Sequence, residues 1–151
     1  MISIVPLQME HVSMLMDPAT EPGLLDVLLG SSNYWPKIVA SGTAFSGFLD
    51  GRFLGCGGYA MPWPGVAEVW AWMLPEARER PLLTHGIVKR TLKHLERDKG
   101  IYRISCEVRA GNTRAVRWVE ALGFKCEGIM YKRGPDGSDF YLYAKVKRNA
   151  A

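Results

Sequence analysis

The chain has 151 residues, 48% of them hydrophobic and 23% charged, with 19 Lys and Arg against 15 Asp and Glu. This composition excludes a disordered chain and predicts one domain over 1–151 that buries about 70% of its unfolded surface. The net charge of +4 hides a split: residues 1–75 hold two basic and six acidic groups, residues 76–151 hold seventeen and nine, and the second half has the sign to meet an anion.

Ile2, Ile4 and Pro6 alternate with Ser3 and Val5, which predicts a short first strand. Residues 7–16 place Leu7, Val12, Leu15 and Met16 at near-helical spacing. The prolines and glycine between Asp17 and Gly23 predict a turn, and a second helix follows over 24–40, imperfect around Pro36. Three antiparallel strands are expected at 44–49, 52–60 and 66–73, with Asp50-Gly51 as a hairpin turn. Gly55, Gly57 and Gly58 in the second of them point to a bulge or a close backbone approach. The longest uncharged stretch, 53–67, has fifteen residues, short of the ~20 that span a bilayer.

A helix follows over 82–98, with Ile87, Val88, Leu92 and Leu95 as its apolar stripe and Lys89, Lys93 and Arg97 on another face. Gly100 suits its C-terminal cap. Residues 101–109 alternate as a strand, and Asn112 caps a helix over 113–122 that Gly123 ends. The chain closes as a hairpin of 124–132 and 138–147 around Gly134-Pro135-Asp136-Gly137. The order β-α-α-β-β-β-α-β-α-β-β argues for a mixed α/β sheet.

The cysteines, Cys56, Cys106 and Cys126, are odd in number and widely spaced, which does not suit a secreted disulfide scaffold. No Lys or Arg precedes an apolar run at the N-terminus, so no signal peptide is visible and a cytoplasmic protein is expected. His11, His85 and His94 fall in no metal-ligand spacing, and no metal is expected.

The start of the 82–98 helix has Thr84, His85 and Gly86, with Arg78 and Arg80 just before it. Free amides and a partial positive charge make such a start either a phosphate seat or a plain capped helix. The run from Asn112 through Ala115 to Gly123-Phe124, followed by Glu127-Gly128, is more specific. On these residues, and on its element order, the chain resembles the GNAT superfamily of acetyl-CoA-dependent N-acetyltransferases.

The resemblance implies a mostly antiparallel sheet of about seven strands flanked by about four helices. It implies acetyl-CoA as co-substrate and an amine as acceptor. Pantetheine would lie between strands four and five, against the backbone of Met73 and Leu74. The pyrophosphate would lie on Thr84, His85, Gly86, Ile87 and Val88, with Asn112 as a further cofactor contact. Glu68 on the fourth strand would be the catalytic base, with Glu107 second, since the amine must lose a proton. The sequence departs from the family pattern at Leu83 and Val88 in the phosphate loop, at Pro81, which lacks an N–H, and at Val119, where relatives carry a proton-donating Tyr.

Those departures keep open a second reading, a GNAT fold kept for binding or structure, similar to short acetyltransferase-like phage proteins. Tyr131, Tyr141 and Tyr143 suit a cross-strand aromatic ladder better than an acid. Trp63, Trp70 and Trp72 suit the core better than a substrate groove. Cys106 and Cys126 read as buried small hydrophobes. Lys89, Lys93, Arg97, Arg114 and Arg117 read as solvated helix faces, so no nucleic acid or membrane partner is expected. A monomer and a homodimer both remain open.

Overall fold

The computed structural model describes residues 1–15 and 34–147. The strands are β1 (Ile2–Pro6), β2 (Ala44–Leu49), β3 (Arg52–Trp63), β4 (Val66–Met73), β5 (Arg103–Arg109), β6 (Lys125–Met130) and β7 (Phe140–Val146). The helices are α1 (Met9–Leu15), α2 (Tyr34–Ser41), α3 (Pro75–Arg78), α4 (Pro81–Asp98) and α5 (Thr113–Ala121). The expected turn at 17–23 and the expected helical residues Met16 and 24–33 lie outside the described residues. The strands form one seven-stranded sheet in the order β1-β2-β3-β4-β5-β7-β6, mostly antiparallel with β4 and β5 parallel. This is the expected fold class, with α3 as an addition.

The chain forms two compact units that share β3, β4 and α4. The first comprises 1–59 and 70–84. Its core is Leu7, Val12, Leu15, Trp35, Ala44, Phe53, Cys56 and Leu74, with Trp70 and Trp72 packed against it. Asp50 and Gly51 both have positive φ, 48° and 80°, the conformation a two-residue hairpin turn requires. The register then shifts: Gly47 pairs with Gly55 but Phe48 with Phe53, so Leu54 is the extra residue of a bulge. The freed Leu54 carbonyl accepts the amide of Leu74 at 2.9 Å. Next to it, Gly55 lies so close to β4 that a Cβ would overlap the Trp72 carbonyl. The glycines of β3 are therefore both bulge and close approach.

The second unit comprises 60–69 and the chain from His85 onward. Leu92 and Leu95 of α4 are buried, as are Ile101, Ile104, Val108, Val119, Leu122, Phe124, Tyr143 and Ala144. Gly100, at φ 63°, lets the Ile101 amide turn back to the Leu95 carbonyl and close α4. Strand β5 starts two residues later than expected, because Tyr102 turns its amide to the Gly65 carbonyl at 2.9 Å. In β7, Tyr143 and Ala144 are both buried although they face opposite ways, so the sheet is covered on both sides there. Lys89, Lys93, Arg97, Arg114 and Arg117 are exposed. No helix among the described residues is long and apolar enough to cross a membrane.

Candidate active site

Strands β4 and β5 pair in parallel at Val66–Arg103, Ala67–Ile104 and Glu68–Ser105. Glu68 is exposed on β4, and by the two-residue period it shares a strand face with Trp70 and Trp72. Glu107, the second base expected, is held by Arg133, whose Nε lies 3.2 Å from its Oε2. At the end of β4, the Leu74 amide already donates to Leu54, and its carbonyl accepts from Ala77 at 3.0 Å. Leu74 therefore has no amide to offer a ligand. Neither the Leu54 contact nor its consequence was anticipated, though the glycines after Leu54 were its signal.

Helix α4 starts at Pro81, earlier than expected. Thr84, His85, Gly86, Ile87 and Val88 lie inside the helix, as they do in the expected range, and there amides bond four residues back. The Thr84 amide donates to Arg80 at 3.0 Å and its hydroxyl to the Ala77 carbonyl at 2.9 Å. Pro81 has no N–H, so by position the free amides of this start are those of Leu82 and Leu83. They border an open depression of about 570 Å³ lined by Glu79, Arg80, Pro81, Leu82 and Leu83. Leu82 is 88% exposed on its rim. A Cβ on Gly86 would meet only open space.

Asn112 caps α5, its side chain accepting the Ala115 amide at 3.1 Å. Val119 is buried, and beside it Glu120 accepts a hydrogen bond from the Tyr143 hydroxyl at 2.9 Å. Burial first, and then that bond, push the Tyr143 hydroxyl up to about 12. Tyr141 meets Tyr143 edge-on at 6.2 Å along one strand, while Tyr131 is 75% exposed, so no cross-strand ladder of the three forms. Glu127 makes a two-pronged ion pair with Arg103, whose hydrogen bonds hold the carboxyl below its ordinary range.

Two expectations are corrected outright, and a third in part: Cys106, expected buried, is half-buried on β5. Cys126 is exposed, because β6 is the outermost strand and its side chains have little above them. Trp63 is 61% exposed at the end of β3, whereas Trp70 and Trp72 meet Trp35 edge-on at 6.1 and 6.4 Å in the core of the first unit.

Residues 14–124 match the acetyltransferase (GNAT) family. No curated protein sequence matches the chain. Among solved structures it is similar to a GNAT-family acetyltransferase from Bacillus anthracis, at TM-score 0.73 and 17% identity over 96% of this chain and 94% of that one. It is similar to a variant of the spermidine N-acetyltransferase SpeG from Vibrio cholerae, at TM-score 0.70 and 15% identity over 96% and 93%. A ribosomal-protein alanine N-acetyltransferase from Escherichia coli aligns at TM-score 0.70 and 19% identity over 100% and 97%. Those identities carry the fold; the family match, which spans most of the chain, carries the membership. The chain belongs to the acetyltransferase (GNAT) family.

Proposed function

We propose that the whole chain acts as one domain that transfers an acetyl group from acetyl-CoA to a primary amine. The family match over 14–124 is the observation that carries this reading. Two of the similar structures are named for amine acceptors, spermidine and a ribosomal-protein alanine, and we extend the acceptor class, not the compound, to this chain. Three free cysteines fit a reducing cytoplasm.

The residues present fit an anionic co-substrate in part. Arg78 and Arg80 and the positive end of α4 suit phosphates, with the Leu82 and Leu83 amides as donors. In this reading Gly86 keeps the seat open, Thr84, His85, Ile87 and Val88 shape the helix beneath it, and Met73 and Asn112 are further contacts. Leu74 serves through its side chain or carbonyl, since its amide is used. Bound acetyl-CoA supplies an activated thioester. Glu68 takes the proton from the attacking amine, directly or through water, as the new C–N bond forms and the C–S bond breaks. Glu68 is preferred to Glu107 because Arg133 holds the latter, and Glu68 has no ion pair among the described residues. The sulfur would leave with the bonding electron pair as a thiolate and take its proton from solvent.

A second reading, binding without turnover, is favoured by one observation: Thr84 has spent both its amide and its hydroxyl inside the protein.

Titration with acetyl-CoA, by calorimetry and by thermal shift, tests both. Binding is expected, and Gly86→Asp should abolish it by adding a carboxylate against the phosphates. Absence of binding at millimolar acetyl-CoA sinks the transferase reading. Glu68→Gln should lower turnover about 100-fold or more with affinity unchanged; equal activity removes Glu68 from the mechanism. Binding with no product across a panel of amines and peptides selects the second reading.

A further inference from the structure

The tip of the last hairpin, residues 131–139, is a self-bonded piece. The Gly137 amide donates to the Gly134 carbonyl and the Gly134 amide to the Ser138 carbonyl, both at 2.9 Å. Asp136 accepts the Ser138 amide at 3.1 Å and Asp139 accepts the Lys132 amide at 2.9 Å. Three further links tie this piece to the end of β5. The Ala110 amide donates to the Asp139 carbonyl at 3.0 Å. Arg133 pairs with Glu107 at 3.2 Å, and Arg109 with Asp136 at 3.0 Å.

The two ion pairs are crossed in sign. Strand β5 offers an acid at Glu107 and a base at Arg109, on one strand face by the two-residue period. The tip offers the base Arg133 and the acid Asp136. A tip shifted out of register would bring like charges together, so the arrangement selects one seating. All four side chains are partly exposed, 56% and 40% in one pair and 27% and 45% in the other, so dissolved salt reaches both. Either pair alone is weak. Because the tip is bonded within itself, it can come away as a unit once the crossed pairs are screened, leaving the β5–β7 ladder intact.

We infer that the tip is a strap, clamped to the carboxyl end of β5 by crossed ion pairs and opened by ionic strength. Opening frees Glu107 and Arg109 together. Resting on the acetyl-transfer reading, the strap controls access to that end of the site, and turnover follows its opening.

Amide hydrogen exchange by NMR tests the strap without reference to catalysis. In the unaltered protein, 1 M sodium chloride should speed exchange at Ala110, whose amide bonds across to Asp139, relative to the β5–β7 amides, while Lys132 and Gly134, bonded within the tip, keep their protection. Glu107→Gln and Asp136→Asn should each do the same at low salt, by about 1.4- to 5-fold, the range for one exposed ion pair. Asp136→Asn keeps an oxygen for the Ser138 amide, so it isolates the charge. Adding Arg133→Gln to Glu107→Gln should change little more. No change at Ala110, or an equal change throughout the sheet or within the tip, overturns the strap. If exchange responds to salt and turnover does not, the strap stands and its link to acetyl transfer falls.

Discussion

Burial pushes the thiols of Cys56 and Cys106 up from 9.0 to about 12, in Cys106 with help from the neighbouring Glu107 charge. Such thiols carry roughly a thousandth of the thiolate of an unperturbed cysteine, and thiolate is the reacting species. Cys126 is exposed on β6, where its sulfur makes a weak contact to the Gly128 carbonyl at 3.6 Å. An aromatic disulfide reagent should therefore label one thiol quickly in the native protein and the other two only in denaturant. Cys126→Ser should remove the fast phase. Two fast thiols, or a fast phase that survives the substitution, would contradict this assignment. The local sequence did not separate Cys106 from Cys126, since both precede a Glu in a short run with strand character. What separates them is the order of strands: β5 lies inside the sheet and β6 at its end, and order depends on the whole chain. Glu107 teaches the same lesson, because its partner Arg133 is remote in sequence.

At the scale of elements, α5 shows a cap whose energy is measurable. Asn112 satisfies the Ala115 amide, and Gly123, at φ 97°, ends the helix. Asn112→Ala should cost about 1 kcal/mol of stability in urea denaturation, and Asn112→Asp should retain most of it. A loss below the error of the measurement would mean that α5 is held by packing alone. Elements marked by such punctuation were legible in the sequence: the Asp50-Gly51 turn, the Gly100 cap, Asn112, and the turn from Gly134 to Gly137. Helix α3, four residues long, is too short to show a period. The expected range of α4, 82–98, starts one residue late. Pro81 was the signal, since proline suits the first helical position. The one-residue shift takes only the Thr84 amide out of the first turn; His85 to Val88 lie past it on either start, and Leu82 and Leu83 keep the free amides. The position of Glu68 on β4 was legible, because the strand Val66–Met73 reads from its own residues.

For the molecule as a whole, the charge split is the property most open to test. The second half carries net +8 against −4 in the first. If the seat relies on Arg78, Arg80 and a helix end with few free amides, affinity for acetyl-CoA rests on charge that salt screens. The dissociation constant should rise several-fold between about 0.05 and 0.5 M sodium chloride. A salt-independent constant would place the affinity in apolar contacts to pantetheine instead. The sheet's outermost strands carry a different consequence. On β1, Pro6 lacks an N–H for any further strand. On β6, the register shifts between Cys126 and Gly128, so Glu127 is an inserted residue, and it and Lys125 place charge along the rim. A neighbouring molecule adding a strand at either end meets a missing donor or a kinked, charged backbone. Runaway sheet growth between folded copies is thereby disfavoured at both rims, and the molecule can stay dispersed without a cover over either one.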